Sequence, residues 1–170
     1  MTPSDTPDLR ADPPRTGNEL EVLLGFLDFQ RGTIALKSTG LSEADAHRSV
    51  LPSPLMTVAG LLSHLRWVES YWFENVIGGQ PAAAPFDPDR PDAEFEIAAE
   101  LGLDRLLADY ADQCTRSRVV ISRLTLEDTG LERGVPVSLR WVLTHMIEET
   151  ARHAGHLDVI REFLDGVTGE

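Results

Sequence analysis

The chain has 170 residues, the length of one ordinary domain, and 42% of them are hydrophobic, so a core can close without disulfides or a structural metal. Fifteen Lys and Arg against 28 Asp and Glu leave a formal charge of -13, which repels phosphate backbones and anionic bilayers and argues against nucleic-acid or membrane partners. The single cysteine, Cys114, excludes an intrachain disulfide. With no membrane-length apolar run and no signal peptide in the opening residues, the expectation is a cytoplasmic protein.

Residues 1–15 carry Pro3, Pro7, Pro13 and Pro14 among acidic and small residues, the composition of a flexible N-terminal tail, and leave 16–170 as the domain. Thr16-Gly-Asn-Glu19 has the capping-box form. Leu20, Leu23, Leu24, Leu27 and Ile34 follow at helical intervals, predicting a first helix to about Ser38, ended by Gly40. Thr57 caps a second helix with Leu61, Leu65, Val68 and Trp72 on its apolar face, stopping at Gly78-Gly79. Gln80 to Pro91 reads as a long connection. A third helix over roughly Ala93 to Leu124, bent near Gly102, is followed by a loop from Gly130 to Pro136 and a last helix from the Ser138 cap to about Leu164. No alternating run competes with these segments, so the predicted fold is all-α, an up-and-down four-helix bundle with a long connection between helices two and three. An echo runs through it: Thr57 precedes His64 by seven residues, as Ser138 precedes His145, which suggests two hairpins related by rough twofold symmetry.

The last helix carries the chemistry. On a helical wheel, His145, Glu149, His153 and His156 fall within an arc of roughly 80° shared with Val142, Met146, Ile160 and Leu164, the face expected to be buried. Unpaired polar groups are costly there, and a divalent cation would satisfy several at once. Glu149 and His153 are four apart, as are His145 and Glu149, while His153 and His156 offer a spacing of three. A third donor must come from another helix, and His64 is the one histidine of helix two. Three protein ligands with open positions make a catalytic kind of site. His64 alone also suits a core histidine bonded to a backbone carbonyl, His145 and His156 suit groups that orient ligands from behind, and His47 a solvated loop residue. Cys114 has no CxxC partner and reads as a buried or incidental thiol.

Gly60-Leu-Leu-Ser-His64-Leu, Trp72-Phe73 and His145-x3-Glu149-x3-His153-x-Gly155-His156 together resemble the DinB-like superfamily of metal-binding helical bundles, in particular its small actinobacterial-type, mycothiol-transferase-like branch. The resemblance covers nearly everything after residue 16. It implies that one histidine of helix two joins two residues four apart on helix four around zinc, nickel or iron, here His64, Glu149 and His153. Many relatives have histidine where this chain has Glu149, whereas the similar mycothiol-dependent maleylpyruvate isomerases use glutamate and histidine at this spacing. His156 is thereby left as a rival ligand, and His145 as a group behind the ligands. The oxygen donor favours zinc.

The resemblance further implies a low-molecular-weight thiol S-transferase acting on small electrophiles in detoxification or stress response, with mycothiol or bacillithiol as cosubstrate, and a homodimer using Trp67 and Phe73. Glu149, if it is not a ligand, or His156 would take the proton, and Arg66, Arg140 and Arg152 would contact an anionic cosubstrate. Two alternatives share the fold and the ligands: a non-enzymatic metal-binding bundle for a small molecule or partner, and a metal-dependent hydrolase.

Overall fold

The computed structural model describes Asp8 and residues 10–169. The expectation of a flexible tail lies, for residues 1–7 and 9, outside the described residues. Just after them Arg10 reaches the first helix, donating to the Thr33 hydroxyl at 2.8 Å with its guanidinium over the Phe29 ring.

The protein is mostly helical, with one small sheet. Helix α1 (Glu19–Ser38) starts at Asn18, whose side chain accepts from the Glu21 amide at 2.9 Å while the Glu21 carboxylate accepts from the Asn18 amide at 3.0 Å. The capping box is therefore two residues later than the Thr16 start expected, because Asn18 is the residue within reach of those amides. A single turn, α2 (Glu43–Ala46), is capped by Ser42. Thr57 caps α3 (Val58–Glu69), accepting from the Gly60 amide at 3.0 Å. The chain then continues as a π-helix over Ser70–Ile77, a widening that apolar periodicity did not foretell. After the long connection, α4 (Ala93–Glu96) and a 3₁₀ turn (Ile97–Glu100) precede α5 (Leu103–Ile121), with the expected break at Gly102. Finally, α6 (Leu139–Asp165) runs from its Ser138 cap to Gly166, which takes the left-handed φ of 76°.

The all-helical expectation needs one correction. The loop placed over Gly130 to Pro136 is an antiparallel hairpin, β1 (Thr129–Glu132) paired with β2 (Val135–Ser138). Arg133 and Gly134 both have positive φ, 49° and 83°, the geometry of a two-residue hairpin turn. Strands of four residues joined by Arg-Gly rather than Asn-Gly carry little signal in sequence. The hairpin sits on the π-helix so closely that a Cβ on Gly130 would lie 1.9 Å from the Val76 carbonyl oxygen.

Helix α1 packs along α6 and α3 along α5, and contacts of α3 with α6 and of α1 with α5 join the pairs. One apolar cluster gathers Ile34, Leu61, Leu65, Tyr110, Leu157 and Ile160, and the other Leu27, Phe73, Leu139, Leu143 and Met146. At the boundary between them Arg31 of α1 donates to both carboxylate oxygens of Glu69 on α3, at 2.8 and 2.7 Å, with side chains only 3% and 1% exposed. Arg31 also donates to Asp28, which in turn accepts from Arg118 of α5. Cys114 lies buried close by, its thiol pushed up to about 12 by burial and by the charge of Glu69, which suits an inert core group rather than a nucleophile.

Removing one charge of a buried pair leaves its partner uncompensated. Glu69→Gln is therefore expected to lower the unfolding free energy by about 3–5 kcal/mol, whereas Arg31→Met combined with Glu69→Leu recovers most of that loss; urea titrations of both variants against the parent check the contrast.

Candidate metal centre

Helices α3 and α6 lie side by side and bring His64, Glu149 and His153 together. Glu149 Oε1 stands 3.1 Å from His64 Nε2 and 3.2 Å from His153 Nε2, so one carboxylate oxygen is shared by imidazoles from two helices. The three side chains are 12%, 13% and 10% exposed, leaving little water to screen them. A ligand atom from each residue lies within 4.8 Å of the other two.

Local sequence explains the convergence. Glu149 and His153 share a face of α6 at a spacing of four. His64 is aimed by what packs against it: its ring lies flat on Phe95, centroids 4.5 Å apart at 11°, and meets His153 edge-on at 4.8 Å. Gly60 lets the chain before α3 pack closely, since a Cβ there would lie 2.3 Å from the Leu55 carbonyl oxygen. Ser63 donates to the Glu94 carbonyl at 2.5 Å and ties α4 to α3.

Glu94 is the functional residue that sequence reading missed. Its Oε1 lies 2.7 Å from His64 Nδ1, so it accepts that N–H while Nε2, on the other edge of the ring, faces Glu149. One glutamate among 28 acidic residues, set after a Pro-rich connection, carries no spacing signal. Its other oxygen, Oε2, is buried with no hydrogen-bond partner among the described residues.

The remaining expected residues are placed as follows. His156 Nδ1 lies 3.2 Å from His153 Nδ1, on the edge of that ring remote from the nitrogen facing Glu149. It backs His153 rather than joining the shared oxygen. His145 stands between Trp141, stacked at 5.1 Å, and Trp72 at 4.8 Å, with no contact to the three converging groups among the described residues. Arg152 pairs with Glu148 and reaches Glu149 Oε2 at 3.4 Å. Arg140 is held by Glu19 and Glu127, and Arg66 lies over the Trp67 ring in a cleft with Arg105 and Asp109. His47 lies 3.7 Å from Glu43. Phe73, expected at the surface, is fully buried in the core, while Trp67 is half-buried.

The electrostatics follow from this geometry. Hydrogen bonds from His153 and then His64 hold the Glu149 carboxyl well below the usual carboxylate range, against the opposing effect of burial. Burial pulls the His64 pKa down, but its bonds to Glu149 and Glu94 outweigh burial and raise it. Burial, reinforced by His153 and Arg152, lowers that of His156 and favours its neutral form.

The donor set fits a divalent ion. Two ligands on one tetrahedral ion with bonds of about 2.1 Å are about 3.4 Å apart, close to the 3.1 and 3.2 Å separations found here. The sequence profile of the Mycothiol-S-transferase family matches residues 22–166. The chain belongs to that family, a member of the DinB-like superfamily. No curated protein matches it. The family span takes in all three converging residues together with Glu94 and His156.

Two outcomes are expected. Glu94→Gln, which weakens the acceptor on His64, should lower zinc affinity by about 10- to 100-fold in a chelator-competition titration while the far-UV circular dichroism is unchanged. In metal-free protein, His64, with its raised pKa, contributes stability that is complete below its ordinary 6.5 and lost as pH rises through the raised value. Glu149 contributes stability that is complete above its ordinary 4.5 and lost as pH falls through the lowered value. The difference in melting temperature between chelator-treated parent and Glu149→Gln should thus be greatest between pH 4.5 and 6.5 and shrink on the alkaline side, whereas zinc affinity should rise with pH.

Proposed function

We propose that this chain is a metal-dependent thiol S-transferase that joins a mycothiol-type thiol to a small electrophile, in detoxification or stress response in the cytoplasm. The observation that supports it is the shared Glu149 oxygen between His64 and His153, in a member of the Mycothiol-S-transferase family. In this reading the four long helices form the up-and-down bundle of the DinB-like superfamily, and His64, Glu149 and His153 hold zinc, the ion favoured by one oxygen and two imidazole donors. When bound, a divalent ion lowers the pKa of a thiol so that it ionises near neutral pH.

The protein's own groups do the rest. Glu94 fixes the His64 tautomer by accepting from its Nδ1–H. His156, kept neutral and partly exposed, is the acceptor for the thiol proton. The sulfur then forms a C–S bond to the electrophilic carbon, and the leaving group departs with its electron pair. Arg152, half-exposed and tethered to Glu148 and Glu149, is the cation best placed to meet an anionic cosubstrate. The homodimer belongs to this proposal, with Trp67 as the remaining surface aromatic of the expected pair.

Zinc-loaded protein incubated with mycothiol and monochlorobimane should form the conjugate, and His64→Ala and His153→Ala should lose both metal and turnover. His156→Gln should retain metal and lose roughly 10²-fold or more in kcat, as loss of a general base does. Bound metal without thiol consumption would support a binding protein instead, and turnover of the electrophile without thiol would support a hydrolase.

A further inference from the structure

Near the candidate metal centre, where the π-helix meets α6, lies a run of five aromatic rings that the chemistry above does not use. Trp141 stacks on His145 at 5.1 Å and 18°, and Trp72 meets His145 at 4.8 Å and Trp141 at 5.3 Å. Tyr71 continues the run edge-on to Trp72 at 5.3 Å and to Phe86, from the long connection, at 5.4 Å. His145 precedes Glu149 by one helical turn, a rise of about 6 Å. A molecule lying on these rings would sit about one helical turn along α6 from Glu149.

These rings are neither core nor loose surface. Trp141 is 49% and Phe86 45% exposed, so part of each side chain remains open to solvent. Yet the run is held from below. The π-helix that carries Tyr71 and Trp72 is pressed by the hairpin at Gly130 against the Val76 carbonyl, and the Tyr71 hydroxyl donates to Glu132 at 3.2 Å. A π-helical segment next to a site is a recurrent mark of function. The charged groups around the rings are already occupied with one another: Glu132 with Arg133, and Glu148 with Arg152. With those charges paired, the exposed aromatic rings are what this surface offers a ligand, and they favour a flat one.

We propose that Trp72, Trp141 and His145 form the shelf on which the electrophile lies, and that the electrophile is a flat, conjugated, uncharged molecule. The proposal rests on the transferase reading for the words electrophile and substrate, but the shelf itself is a binding site that can be measured without turnover.

The test uses full-length protein and a bimane fluorophore whose reactive chloride has been replaced by hydroxyl, followed by the anisotropy of the fluorophore. Binding to the parent, weakened about tenfold in Trp141→Ala and restored in Trp141→Phe, is the expected result. Absence of binding to the parent, or equal binding to Trp141→Ala, overturns the shelf. Where turnover is observed, the kcat/KM ratio of monochlorobimane to iodoacetamide should also fall about tenfold in Trp141→Ala, through KM; an equal loss for both electrophiles overturns the selectivity. Because the hydroxyl compound cannot react, its binding persists if the transferase reading fails, and the two failures stay separate.

Discussion

A carboxylate in a groove that is nearly closed to water must be compensated, and in this protein the compensation comes from two helices at once. Glu149 Oε1 is bonded to His64 of α3 and His153 of α6. That arrangement exists only if the two helices lie at one rotation and one register, since a slip of a single residue turns a side chain by about 100° around the axis. The Arg31 and Glu69 pair joins α1 to α3 between the two apolar clusters, where no neighbouring hydrophobic residue could replace it without the loss of both hydrogen bonds. The register of α3 is thus held from one side by a buried ion pair and expressed on the other as the convergence of His64 on Glu149 and His153.

The long connection is more than a spacer. Its final residues deliver Glu94 and Phe95, one bonding the far nitrogen of His64 and the other lying against its ring. With His156 at the far nitrogen of His153, each imidazole has a polar neighbour on its outer edge. Such preorganisation is what a binding site needs if its ligands are to converge without further ordering.

Along the seam from these polar groups the character of the surface changes from charged to aromatic within one turn of α6. Membership of the Mycothiol-S-transferase family points to thiol-transfer chemistry. The π-helix and the hairpin belong to the aromatic half, which explains why elements that are small in extent are closely fitted there.

The helical segments, their Thr57 and Ser138 caps, the break at Gly102 and the pairing of Glu149 with His153 were legible in sequence, because helical periodicity and capping are local and repeat within one turn. His64 was legible as a candidate third donor only through its type and its place on a second helix. Which histidines meet was not legible: His145 and His153 share the same stripe of α6, but only the packing of α3 decides that His153 faces Glu149 and His64 while His145 falls among tryptophans. Glu94, the π-helix and the hairpin were also beyond reach, since a contact across 30 residues, a one-residue widening and a four-residue strand pair leave no period in the chain. Local sequence determined which groups stand on each helix; the packing of helix on helix decided which of them share a proton or an ion, because that depends on distances no spacing encodes.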